Sequence, residues 1–205
     1  MNKLTTKDTE WVSKVLEKAF YTDPMLNFIY GKSINDPDKL KSFFRATYRY
    51  TSIFGECYST PDGAGILMML PPGQTNMTLG KMYKAGMLAP FLRMGWAPIS
   101  RSLALMDFIE KEHKSAAPSD HYYIMTMGVL PERQGTGLGK KLMAKALEIA
   151  DANNKPCYLE TQNKNNVPFY QSFGFEVVTD KEIPKGGLNN WGMLRQSRNE
   201  NSKIK

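Results

Sequence analysis

The chain has 205 residues, 41% hydrophobic and 23% charged, without internal repeat, heptad or low-complexity tract, which suits one globular domain with a sizeable core. Its net charge of +7 and pI near 9.3 allow a nucleic acid, a membrane surface or a polyanionic small molecule as partner. The basic residues are scattered and no stripe of them is interleaved with aromatics, so nucleic-acid binding is the weaker reading. In chain order, residues 2–4 leave room for a minimal strand, and Thr5 or Thr6 can cap a helix whose apolar positions are Trp11, Val12, Val15, Leu16, Ala19 and Phe20. Asp23-Pro24 starts a second, short helix. Asp36-Pro37 starts a third, with Leu40, Phe43, Phe44, Thr47, Tyr48 and Thr51 facing inward.

Residues 56–60 and 64–70 read as strands of a hairpin about a Pro-Asp-Gly turn, closed by Pro71-Pro72-Gly73. Residues 78–113 are helical in pattern and rich in methionine (Met82, Met87, Met94, Met106), with Phe91, Trp96 and Phe108 among them. That segment is either a helical pair packed on a sheet or, in part, the wall of an adaptable apolar pocket, because Met side chains repack around irregular ligands. Cys57 and Cys157 lie far apart in strand-like runs and read as buried free thiols of a reducing compartment. Two histidines and two cysteines are too few and too scattered for a metal site. The N-terminal residues lack the apolar core of a signal peptide and no run of 18 apolar residues occurs, so a cytoplasmic protein away from membranes is expected.

Residues 121–141 organise the rest: an apolar strand runs into a glycine-rich turn that opens directly into an amphipathic helix. Gly135, Gly137 and Gly139 let backbone N–H groups turn inward, and the first helical turn leaves its own N–H groups unpaired, which together favour an anion. A Walker A loop is excluded because Gln134 stands where its first glycine belongs and Lys141 where its hydroxyl belongs. The dinucleotide fingerprint fails at Lys140. What remains is Arg/Gln-x-x-Gly-x-Gly, filled by Gln134, Gly137 and Gly139. The helix then buries Leu138, Leu142, Met143, Ala146, Leu147 and Ala150. A strand over 156–160 follows, then the run Asn163 … Tyr170 … Gly174-Phe175 over a short helix with Pro168 in its first turn and Gly174 at its end. Residues 175–179 and 190–194 make a closing strand pair, and the polar tail from about 197 reads as frayed.

With both motifs in this order, separated by one helix and one strand, the sequence resembles the GNAT acetyltransferase superfamily. The resemblance is sharpest over 122–175; the Asn-Val-Pro-Phe-Tyr run, Pro-Pro-Gly and the ending from Trp191 look like the branch that includes puromycin N-acetyltransferase. It implies a single α/β domain over 1–205, a mixed twisted sheet of about six to seven strands flanked by helices, with an added helical segment at about 76–116. It also implies two central strands that splay to admit acetyl-CoA as acetyl donor, with no metal. The implied cofactor contacts are Met127, Val129, Arg133, Gln134, Gly135, Thr136, Gly137, Leu138, Gly139, Lys140, Asn163, Asn166 and Tyr170. Asn166 stands where the family usually has a smaller residue.

Tyr170 is implied as the acid that protonates the leaving thiolate, against a tyrosine that only packs on Phe173 and Phe175. Val129 N–H is implied to polarise the thioester oxygen. Glu160, at a strand end, is either the base that accepts the amine proton or a carboxylate that orders the loop. Asn163 bonds the pantetheine arm or caps the next turn. For Arg133 and Lys140, plain solvation competes with a charge contact. His121 is set aside, lying some 25 Å before the cradle along an extended strand at about 3.3 Å per residue. The expected activity is N-acetylation of a primary amine, of a small molecule first, by direct attack in a ternary complex; a protein amine and a non-catalytic acyl-CoA-binding module are the alternatives.

Overall fold

The computed structural model describes residues 1–31, 36–88 and 95–198. The strands are β1 (Asn2–Lys3), β2 (Glu56–Ser59), β3 (Gly65–Leu70), β4 (Tyr122–Val129), β5 (Cys157–Thr161), β6 (Glu176–Glu182) and β7 (Asn189–Arg195). The helices are α1 (Thr9–Ala19), α2 (Pro24–Tyr30), α3 (Pro37–Phe54), α4 (Leu79–Lys84), α5 (Trp96–Ala116), α6 (Leu138–Ala152) and α7 (Val167–Gln171). The described strands form one seven-stranded sheet in the order β1-β2-β3-β4-β5-β7-β6. All the pairings are antiparallel except β4 with β5.

Local chemistry sets the helix starts. The Thr5 side chain caps a single 3-10 turn ahead of α1, Asp23 accepts from Leu26 N–H at the head of α2, and Asp36 does the same for Asp38 at α3, with Pro24 and Pro37 in first-turn positions that need no donor. The sheet divides the core. On one face, Val12, Leu16, Leu26, Leu40, Phe44 and Tyr48 of α1–α3 pack on Ile66 and Met68. On the other, Leu142, Met143, Ala146 and Ala150 of α6 pack on Leu67, Met69, Ile124 and Leu159. β3 is buried at every position because both faces are covered, which is why its sequence is an unbroken apolar run. Gly128 is a point of close approach: a Cβ there would sit 2.6 Å from the Phe20 ring, so α1 lies directly on β4.

Two expectations need correction. Trp96, grouped above with the packing residues, is the first residue of α5 and 83% exposed. The tail is anchored at its start, where buried Ser197 donates to Asn154 Oδ1 at 2.9 Å beside the bidentate Arg195–Asp151 pair (2.8 and 2.9 Å). Phe91, Met94 and the chain beyond 198 lie outside the described residues. No helix among the described residues is long and apolar enough to cross a membrane.

Candidate active site

β4 and β5 pair in register at Tyr122–Cys157, Tyr123–Tyr158 and Ile124–Leu159, and there their ladder stops, although β4 continues to Val129 and β5 to Thr161. The expected splay is present. Leu130 N–H donates to Ala64 O on the β3 side, so by strand alternation the main-chain groups of Val129 and Met127 face the opening toward β5. Gln134 fits this, because its Nε2 reaches Val129 O at 3.2 Å and braces the glycine loop on the strand end.

The loop itself is built for an anion. Gly135 (φ 75°) and Gly137 (φ 84°) take left-handed backbone, and a Cβ on either would meet nothing within 4 Å. Space is therefore open and conformation is what selects glycine. Gly139 is already helical. No side chain caps α6, and its first return bond is Lys141 N–H to Gly137 O (3.1 Å), so the N–H groups of Leu138, Gly139 and Lys140 precede the helical ladder. Thr136 Oγ1 donates to Arg133 O (2.6 Å) and closes the loop on itself. Arg133 turns away to pair with Asp62 at 2.6 Å, whereas Lys140 is exposed in the first turn.

A cavity of about 530 Å³ runs beneath the splay. Met127, Asn166, Tyr170, Glu160 and His113 line it, with Phe20, Met25, Phe44, Met87, Leu105, Met106 and Ile109 along its apolar walls. Tyr170 packs on Phe169 and Phe175 (ring centroids 5.4 and 6.2 Å), so its packing role and its place in the cavity coexist. Burial of the hydroxyl, reinforced by the Asp23 carboxylate, pushes its pKa up to about 12 and keeps it protonated at neutral pH. Asn163 spends Oδ1 as a cap on Asn165 N–H (3.1 Å), and Asn166 Nδ2 reaches Thr161 Oγ1 at 3.4 Å.

Glu160 is the most perturbed carboxylate of the site. Only 4% of its side chain is exposed; Oε2 accepts from Tyr123 Oη at 2.7 Å, and Oε1 has no hydrogen-bond partner. Burial pushes its pKa up to about 7, against the opposing pull of the Tyr123 and Tyr158 hydroxyls. A carboxyl poised there can take a proton from an ammonium at physiological pH. The thiols of Cys57 and Cys157 are pushed by burial up to about 12 and are poor nucleophiles.

Sequence reading missed His113 and Tyr123. Tyr123 is the partner of Glu160 across the last paired rungs, and His113 Nδ1 lies 3.8 Å from Glu160 Oε1. The signal was in the α5 pattern: Ser102, Leu105, Met106, Ile109, Glu110, His113 and Ala117 recur at helical spacing and all line the cavity. His121, set aside on distance along its strand, is joined to Glu160 through His113.

Comparison with known proteins agrees with this geometry. The family model for the acetyltransferase (GNAT) family matches residues 102–175. An uncharacterized N-acetyltransferase of Schizosaccharomyces pombe is 25% identical over 183 residues, which cover 84% of this chain and 72% of that protein. N-alpha-acetyltransferase 50 of Danio rerio is 33% identical over 64 residues, 29% of this chain and 38% of that protein. Among solved structures, histone acetyltransferase HPA2 and related acetyltransferase of Corynebacterium glutamicum superposes with a TM-score of 0.67 at 18% identity, covering 96% of this chain and 94% of that one. The Drosophila melanogaster polyamine N-acetyltransferase, which catalyses formation of N-acetylagmatine, gives 0.61 at 14% identity and covers 95% and 98%. At such identities the structural likeness is one of fold.

Proposed function

We propose that this chain is an N-acetyltransferase of the GNAT superfamily that moves the acetyl group of acetyl-CoA to the primary amine of a small molecule by direct attack in a ternary complex. The observation that carries the reading is the convergence of Glu160 and Tyr170 on one cavity beneath the opened β4–β5 ladder. Within the superfamily, the Asn-Val-Pro-Phe-Tyr run from Asn166 supports the puromycin N-acetyltransferase branch.

Bound acetyl-CoA supplies the thioester carbon that the amine attacks. Gln134, Gly135, Thr136, Gly137, Leu138, Gly139 and Lys140 hold its pyrophosphate through main-chain N–H groups and the head of α6, with Met127, Val129, Asn163 and Asn166 along the arm. Arg133 joins only by leaving Asp62. Val129 N–H, facing the cleft, stabilises the oxygen on which charge develops. Glu160 takes the ammonium proton, which an amine with a pKa near 10 must lose before attack. Tyr170 gives its proton to the departing sulfur. Holding both reactants in one cleft supplies much of the rate through orientation.

The apolar walls, with methionines from α2, α5 and the turn after α4, support an acceptor whose amine sits on an apolar body. A recessed cavity with these apolar walls supports a small molecule over a protein amine. The test is release of free thiol from acetyl-CoA against 2-phenylethylamine, spermidine and a peptide with a free N-terminal alanine. Release with 2-phenylethylamine exceeding that with the peptide supports the reading. Release with the peptide alone makes the protein amine the acceptor.

A further inference from the structure

His113 sits in an aromatic cage. Its ring stacks on Tyr158 (centroids 4.6 Å apart, planes 25°), lies 4.6 Å from Tyr123 and 4.9 Å from His121, and its Nε2 is 2.8 Å from Nε2 of His121. The partners fix where the ring protons lie. His121 Nδ1 lies against the carbonyl oxygen of Pro118, which can only accept, so Nδ1 carries the hydrogen and Nε2 of a neutral His121 is a lone pair. His113 Nε2 must then donate to it. This leaves His113 Nδ1 as a lone pair facing Glu160 Oε1, the oxygen that Tyr123 does not take and that makes no close hydrogen bond, although the Tyr158 hydroxyl also stands beside the carboxyl.

We propose that His113 is a proton-relay residue, receiving at Nδ1 the proton that Glu160 Oε1 takes from the acceptor amine, with His121 as the positioning residue that fixes its tautomer. The inference rests on the acetyl-transfer reading above. The balance is simple: an ammonium and a thioester give an amide, a thiol and one proton. Tyr170 returns to its phenol form by taking the second nitrogen proton after giving its own to sulfur. The single surplus proton leaves N–H for Oε1 and passes to Nδ1. Glu160 is again a carboxylate, beside an imidazolium that loses its proton to water in the same cavity, which His113, Lys114, Pro118 and Ser119 line. The 3.8 Å gap exceeds direct hydrogen-bond reach; a carboxyl rotation closing about 1 Å, or one water, bridges it.

The groups facing the pair agree with a transient imidazolium. Burial pushes His113 down to about 4, with added repulsion from His121 and Lys114, and burial lowers His121 as well, although the Pro118 bond and Asp120 oppose this. Tyr123 and Tyr158 flank Glu160, and Glu112 of α5 is held by Lys181 of β6 at 2.8 Å. Passing a proton from a carboxyl near 7 to an imidazole near 4 is uphill, so the imidazolium is a fleeting state from which the proton either returns to Glu160 or goes on to water; the relay rests on the geometry, and a store is excluded.

The experiment uses the full chain, the amine panel above and two variants. His113→Gln keeps a donor toward His121 and most of the ring volume but cannot carry a proton; kcat should fall roughly tenfold to a hundredfold with KM for acetyl-CoA within about twofold. His113→Ala should regain turnover with added imidazole and its methyl derivatives, in the order of their basicity. In wild type, nitrogen-15 spectra of the rings should show the Nε2–H tautomer for His113 and the Nδ1–H tautomer for His121. An unchanged kcat in His113→Gln, a folded His113→Ala that no imidazole restores, or the opposite tautomers would overturn the relay while amine-dependent release in wild type left the acetyltransferase reading intact. Wild type that binds acetyl-CoA but releases no thiol with any amine would sink both.

Discussion

At Glu160, the burial that raises the carboxyl to a pKa suited to the proposed base also costs stability. The carboxyl must be ionised to accept a proton, so kcat/KM should rise with pH through about 7 and then level off. The same group has its folded-state pKa raised above the usual carboxylate value. Its stabilising contribution is thus fully present below about 4.5 and lost as pH rises through about 7. Glu160→Gln should lower kcat by roughly a hundredfold or more and, at pH 8, raise the unfolding midpoint relative to wild type. The gain should shrink by pH 5; a midpoint difference independent of pH would refute the account. Tyr170→Phe makes a sharper cut, because the ring keeps its contacts with Phe169 and Phe175 and only the hydroxyl goes. We expect kcat to fall about tenfold or more with unchanged stability and acetyl-CoA affinity, read by thiol release and thermal melting.

Elements position these residues by backbone means that a sequence shows unevenly. Gly135 and Gly137 were legible because a left-handed turn at a strand-to-helix junction leaves a glycine signature, and Leu142, Met143 and Ala146 because a buried helix face repeats every 3.6 residues. Gly137→Ala meets no atom, so its cost is conformational alone, about 1–2 kcal/mol. Its expected signature is a raised KM for acetyl-CoA with kcat nearly kept. Gly128, inside the apolar run of its strand, carries no signal of its own in the sequence, yet it sets how closely α1 lies on β4. Gly128→Val should cost roughly 1–3 kcal/mol through overpacking against Phe20, measured by denaturant midpoint. The Glu160–His113 contact was not legible, because the α5 pattern puts His113 on the cavity-lining face but does not say which strand, 47 residues on, that face meets. Distance along one strand said nothing of neighbours across the fold: α5 brings His113 beside His121.

Across the whole molecule, the cavity is assembled from α2, α3, α5 and the sheet, so its shape depends on the helical segment between β3 and β4. Met87 belongs to that wall and is 8% exposed. Met87→Ala should raise the KM of the acceptor severalfold and leave that of acetyl-CoA alone; lowered stability with unchanged kinetics would make Met87 plain core.

The short β4–β5 ladder has a mechanical side. Along this line the sheet is two leaves, β1-β2-β3-β4 and β5-β7-β6, stitched by three residue pairs and backed by α6. A ligand lying in the gap works as a suture between leaves that otherwise meet on a narrow seam. Amides of β5, β7 and β6 should therefore exchange more slowly with solvent deuterium once acetyl-CoA is added, those of β2 and β3 changing less. At a hundredfold excess over Kd the whole chain gains about 2.7 kcal/mol, and the far leaf, whose described strands pair with the near one at that seam alone, is where most of the stiffening should fall.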